Sequence, residues 1–216
     1  MAGSASDVAF SPTVKDVQIR LGSRAHFEAS EIERPWPTTI RDDLAAFIAL
    51  RDTFYLATAN AAGQPYIQHR GGPPGFLRVL DEKTLGFADL PGNRQYITIA
   101  NLQDNPQAFI FLMDYARQQR VKIWGTAKVV EDDAALIERL SEGLTLRKKP
   151  QRAILFTVAT WDINCRQHIT ARYTEDELRP AIEKLQARIL ELEAENEALR
   201  RHAGIGQAGP VQSHLE

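Results

Sequence analysis

Arg70, Arg78 and Arg94 all fall within residues 66–95, YIQHRGGPPGFLRVLDEKTLGFADLPGNRQ. A guanidinium keeps its charge at any physiological pH and offers five N–H donors in a planar fork, a shape that suits carboxylates and phosphates. The chemistry these positions can support is therefore capture of an oxyanion. Asn93 reads as the N-cap of a helix, which would put Arg94 in its first turn. A cation there is disfavoured by the helix dipole unless an anion lies nearby. The free amides of that helix start, with Arg94, Arg70 and Arg78, would form a phosphate pocket. The alternative is an ordinary β-meander and helix with solvated arginines.

These residues need strands to hold them. Residues 66–70 read as a strand, and Gly71-Gly72-Pro73-Pro74-Gly75 then breaks it, because proline removes backbone donors and glycine permits positive φ. Strands resume at 76–80 and 84–88 around a turn at 81–83. Upstream, 54–59 is strand-like, and 60–64 is a hairpin loop. Downstream, 108–113 is an apolar strand, 120–130 alternates at period two, and 153–163 is the last long strand. Helices are expected from Ser11-Pro12 to Gly22 with Val14, Val17 and Leu21 on one face, from a Thr39 cap through Leu44, Phe47 and Ile48, and from Asp132-Asp133 to Leu140; residues 23–39 read as irregular. Six or seven short antiparallel strands without βαβ alternation predict a mainly β fold, a small barrel with peripheral helices.

From Glu175 onward the pattern changes. Ile182, Leu185, Ile189, Leu192, Asn196 and Leu199 are spaced 3, 4, 3, 4, 3. This is a heptad with Ile, Ile and Asn at a and Leu at d, the combination of a parallel two-stranded coiled coil in which the buried Asn fixes register. Arg188 would then face Glu193 of the other strand, and Glu195 would face Arg200. The alternative is an amphipathic helix lying on its own barrel. Under either arrangement a homodimer held mainly through the barrel is expected. The predicted organisation is a disordered N-terminus at 1–11, a barrel domain at 12–173, a heptad helix at 174–203 and a flexible tail at 204–216.

Composition narrows the function. The chain has 216 residues, 26 Lys and Arg against 28 Asp and Glu, and a net charge of −2, which argues against bulk binding to nucleic acid. No apolar run approaches the roughly 18 residues of a membrane span. The start MAGSASDVAF has neither the basic nor the apolar region of a secretory signal, so a cytoplasmic protein is expected. Cys165 is the single cysteine, and with no identifiable charge partner it is not expected to act as a redox nucleophile. The acidic groups Asp132-Asp133 and Glu191, Glu193 and Glu195 read as solvated helix faces, and no metal site is expected.

Several segments, in order, resemble one family. HRGGPPGFLRVLDEKTLGF (69–87), GNRQYITIANLQDNP (92–106), RVKIWGTAKVVE (120–131) and WDINCRQHI (161–169) are similar to the pyridoxamine 5′-phosphate oxidase-related, FMN-binding split-barrel proteins. QIRLGSR (18–24) resembles the N-terminal helix of a largely uncharacterised branch. Members are homodimers that bind FMN in two clefts at the subunit interface, so the resemblance implies a split barrel, FMN and a homodimer. Carried over by position, it implies FMN contacts from His69, Arg70, Gly71 and Arg78, from Asn93, Arg94 and Gln95 around the phosphate, and from Arg120 and Lys122 beside the flavin. It also implies that Trp161, Asn164, Arg166, Gln167 and His168 reach the partner's cofactor. For Trp161 core packing is the alternative, and for His168 a bond to a neighbouring carbonyl.

The 71–75 insert and the heptad helix beyond Ile169 depart from the oxidase proper, so oxidation of pyridoxamine phosphate itself is not expected. The resemblance implies instead an FMN-dependent oxidoreductase acting on a small molecule or on NADH or NADPH. The alternative is a non-catalytic flavin carrier or redox sensor. FMN and a deazaflavin relative are not separated by sequence.

Overall fold

The computed structural model describes residues 3–164 and 166–204, with Asn164 described by its backbone alone; Cys165 and residues 205–216 of the expected tail lie outside the described residues. The chain forms two compact units, Met1–Thr170 and Ala171–Glu216. Among the described residues no helix is long and apolar enough to cross a membrane.

The first unit is mainly β. Its strands are β1 (Thr53–Ala59), β2 (Pro65–Gly71), β3 (Arg78–Val79), β4 (Thr84–Asp89), β5 (Gln107–Asp114), β6 (Gln119–Val130) and β7 (Arg152–Asn164). All pair antiparallel in one sheet ordered β2-β1-β5-β6-β7-β4-β3. Period-two alternation sets the register: Phe54, Leu56, Ile110, Leu112, Val121 and Ile123 all point into one core, where Ile110 opposes Ile123 and Leu112 opposes Val121.

The sheet curls on itself. β2 is one edge and β4 lies next to the other, yet Phe54 of β1 packs edge-to-face on Phe87 of β4, with ring centroids 5.2 Å apart. Arg70 of β2 also reaches Asp89 of β4 at 2.5 Å. Contacts between strands so far apart in the order require a rolled sheet, and the seam left between the two edges makes it a split barrel. Gly125 permits the tight wall at a register shift in β6: a Cβ there would sit 2.0 Å from the Thr157 carbonyl oxygen.

Five helices flank this barrel: α1 (Pro12–Arg20), α2 (Arg24–Glu33), α3 (Asp42–Ala49), α4 (Ile97–Asp104) and α5 (Ala134–Ser141). α3 contributes Leu44 and Ile48 to the core as the apolar stripe predicts. Ser11 and Asp133 cap α1 and α5 through their side chains.

Other expectations fail for identifiable reasons. Residues 23–39 are not irregular throughout, because α2 forms where Arg24 pairs with Glu31 two turns away. Thr39 does not cap α3; it leads in through Arg41, and the Thr39 carbonyl instead accepts from Trp161 Nε1 at 2.8 Å. Val14, Val17 and Leu21 are exposed, and Gln18 is the buried residue of α1, accepting a hydrogen bond from Arg24. Within the stretch read as a disordered N-terminus, Ala5–Val8 form a 3-10 helix with buried Ser6 bonded to Glu31.

Among its described residues the second unit holds one helix of 28 residues, α6 (Glu175–His202).

Candidate functional site

Alternation along β2 divides the expected site residues into two groups. Arg70 pairs with Phe54, so both side chains face the barrel interior, while His69 pairs with Tyr55 on the outer face, their rings 5.7 Å apart. Neighbouring residues on opposite sides of one strand cannot line the same wall.

On the interior side, at the seam, lies a cleft of about 200 Å³. Tyr66, Gln68 and Arg70 of β2 form one wall, Asp89 with the loop 90–96 and the start of α4 form the second, and Gln151 with Arg152 closes it. Arg70 Nη1 lies 2.5 Å from Asp89 Oδ1, Arg152 Nε lies 3.8 Å from Asp89 Oδ2, and the Arg152 guanidinium sits 5.6 Å from the Tyr96 ring. These side chains are 18%, 12% and 10% exposed for Arg70, Arg152 and Asp89. Burial pushes the Asp89 carboxyl up, against the pull of Arg70 and then Arg152. The lining holds three arginines against one carboxylate, so it is cationic.

Two further features belong to this cleft. The Nε atoms of Arg70 and Arg152 are buried and have no hydrogen-bond partner among the described residues; at 3.8 Å Asp89 is too distant to accept from Arg152 Nε. Arg94 and Tyr96 both hold left-handed backbone, with φ of 63° and 56°. That conformation costs a non-glycine residue about 1–2 kcal/mol, and such strain concentrates at binding sites.

The helix starts later than Asn93. Asn93 is not the N-cap: its side chain accepts from the Gln95 amide at 3.1 Å and donates to Gln95 Oε1, folding a loop. Tyr96 is the residue before α4, so Arg94 lies outside the helix and does not oppose its dipole. Arg94 and Gln95 still line the cleft, and among the described residues Arg94 is the cleft arginine without an ion pair.

The remaining expected residues lie elsewhere. Arg78 is turned away from the cleft, donating to the Leu140 carbonyl at 3.0 Å and to that of Glu142, where it satisfies the end of α5. Trp161 is 2% exposed, donates to Thr39 and lies under the Arg41 guanidinium at 5.0 Å; it is a core residue, the alternative weighed for it. Lys122 is on the outer face, 3.1 Å from Asp162 and beside the stacked Trp36 and Trp124. Arg120 follows at the same face, opposite Met113 and the Asn164 backbone. Gly71 ends β2, and exposed Arg166, Gln167 and His168 form the turn after β7, His168 at φ 63°. None of these lines the cleft.

Asp89, Arg152, Tyr66, Gln68 and Tyr96 are cleft residues that sequence reasoning passed over. The available signal was a charge ending each of two apolar strands that pair, Asp89 after LGFA and Arg152 before AILF.

Residues 40–165, more than half of the chain, match the pyridoxamine 5′-phosphate oxidase family, and the chain belongs to that family. Similar solved structures include HupZ of Group A Streptococcus, at 21% identity and a TM-score of 0.48 over 62% of this chain and 99% of that one. An FMN-binding protein of Syntrophomonas wolfei is 12% identical, with a TM-score of 0.46 over 68% of this chain and 97% of the other. A Clostridium acetobutylicum protein related to general stress protein 26 is 17% identical, with a TM-score of 0.43 over 62% and 92%. No curated protein matches the chain.

Proposed function

We propose that the seam cleft takes the phosphate end of FMN, that a second copy of the chain completes the cofactor site, and that the pair works as an FMN-dependent oxidoreductase on a small molecule or a reduced nicotinamide. The observation that carries this is a seam cleft lined by three guanidiniums, Arg70, Arg94 and Arg152, against one carboxylate, Asp89. A phosphate monoester is the dianion such a lining suits, and Arg94, exposed and without an ion pair among the described residues, is the guanidinium placed to meet it.

Size supports a shared site. About 200 Å³ accommodates a phosphate and part of a sugar chain, yet cofactor pockets typically run to roughly 300–1,000 Å³. A three-ring flavin needs walls that one cleft does not have. The outer-face group of His69, Lys122 and Arg120 offers cationic and aromatic surface for such a second wall. FMN, when bound, supplies hydride or electron transfer, while the chain's residues bind, orient and shield it.

The test is an absorbance spectrum of the purified protein, a titration with FMN, and anaerobic addition of NADH or NADPH followed by air. Uptake of one flavin per chain, bleaching with a donor and recovery in air are expected. Flavin uptake without bleaching by either donor would turn the assignment to a carrier or sensor. A colourless protein that takes up neither FMN nor a deazaflavin would overturn it.

A further inference from the structure

Helix α6 is built to persist as a helix. Thr174 Oγ1 accepts from the Glu177 amide at 3.2 Å, and Glu177 Oε2 accepts from the Thr174 amide at 2.8 Å, a reciprocal cap. Glu175, Asp176 and Glu177 open it and Arg200, Arg201 and His202 close it, each sign matched to the helix dipole. Pro180 falls near the start, on the side away from the apolar seam.

Yet no residue of α6 is buried. Ile182, Leu185, Ile189, Leu192 and Leu199 are 44%, 65%, 54%, 46% and 70% exposed, and Leu178 one heptad step earlier is 42% exposed. From Leu178 to Leu199 the stripe runs about 30 Å at 1.5 Å per residue. An uncovered apolar seam of that length on a helix already capped at its start calls for a partner.

We propose that the partner is α6 of a second copy of this chain, lying parallel and in register. Three observations select it. Ile at a with Leu at d packs best in two parallel strands. Asn196, at the remaining a position, meets its own counterpart only in parallel register, where each amide can donate to the other; an antiparallel pairing would set it against a leucine. The flanking charges are complementary as well: Arg188 would reach Glu193 of the other copy, and Glu195 would reach Arg200. Within one chain Arg188 lies 2.9 Å from Glu191 and 3.8 Å from Glu195, while among the described residues Glu193 and Arg200 have no ion pair. The two e positions are thus unengaged, and they are the ones the parallel arrangement uses. This inference stands apart from the flavin assignment, since it uses none of the residues proposed to hold the cofactor.

The experiment uses the full chain with Cys165→Ser, carrying Leu185→Cys, Leu199→Cys or, as a control, Leu190→Cys, under mild oxidation. Leu185 and Leu199 are fourteen residues apart, about 21 Å along the helix, so both can face their own counterparts only in a parallel pair. Near-complete covalent dimer at both seam positions, at least tenfold above the Leu190→Cys control, is expected. Cross-linking at one seam position alone would establish an antiparallel pair and overturn the proposal. Equal cross-linking at all three would reduce it to mere proximity. No cross-link at either seam position in protein that circular dichroism shows to be folded would mean that α6 meets something other than its own copy.

Discussion

Arg94→Gly removes a guanidinium and a left-handed side chain in one step, so its effects on binding and on folding diverge. On folding, relief of the positive φ contributes about 1–2 kcal/mol. The extra freedom glycine brings to the unfolded chain takes back about 0.5–1 kcal/mol. The net lies between zero and roughly 1.5 kcal/mol of stabilisation, a rise in melting temperature of about 0–6 °C for a domain this size. On binding, one charge-assisted contact to a phosphate is worth about 1.5–3 kcal/mol, or roughly 10- to 150-fold in Kd. Arg94 is exposed, so the lower end applies and salt should shrink the difference. Titration by quenching of FMN fluorescence at low and physiological salt, beside a thermal melt, measures both quantities. FMN affinity within twofold of the parent would refute the phosphate role of Arg94. A melting temperature several degrees lower would refute the strain argument independently.

Trp161→Phe should lose about 1–3 kcal/mol through the hydrogen bond to Thr39, read as a lower urea midpoint, while FMN affinity stays within about twofold; a tenfold loss of flavin would restore Trp161 to the cofactor site. Gly125→Ala drives a Cβ into the Thr157 carbonyl and the Phe156 ring, so a loss of about 3 kcal/mol or failure to accumulate soluble protein is expected, and a parent-like midpoint would show that the register shift can relax. Burial pushes the Asp114 carboxyl up, but the Arg117 amide and the Arg51 and Arg117 guanidiniums outweigh it and hold the group below 3.8. Its stabilisation is therefore complete above that value and fades as pH falls through the folded value, so the parent should weaken steeply below about pH 4. Asp114→Asn should be less stable by about 3 kcal/mol at neutral pH and show a flatter acid limb, because it leaves Arg51 unpaired in a buried setting. Identical acid limbs in urea titrations would remove Asp114 from that account.

Strand identity was legible because alternation in β1, β5 and β6 records a one-sided core along the chain itself. The Asn93 error was of another kind. Asx side chains serve a loop as readily as a helix N-cap, and here Asn93 bonds Gln95 two residues on, while the left-handed backbone of Tyr96 delays α4. Local sequence has no means of choosing between those two uses. α2 was missed for a related reason: Ser23 makes no side-chain cap, and the Arg24–Glu31 pair lies in the folded helix rather than in any start signal.

By itself the amino-acid order determined a mainly β antiparallel barrel, a set of arginines between residues 66 and 95, and a terminal helix with a heptad seam. Periodicity and residue chemistry act over a few neighbours, and these features need nothing more. Only the tertiary structure decided which arginines meet. Rolling of the sheet brought Arg70 of β2 to Asp89 of β4 and Arg152 of β7, sent Arg78 to the end of α5, and buried Trp161 beneath Arg41. The closure of a barrel is set by strand order and twist, which place far-separated residues side by side in a way no short stretch of chain encodes.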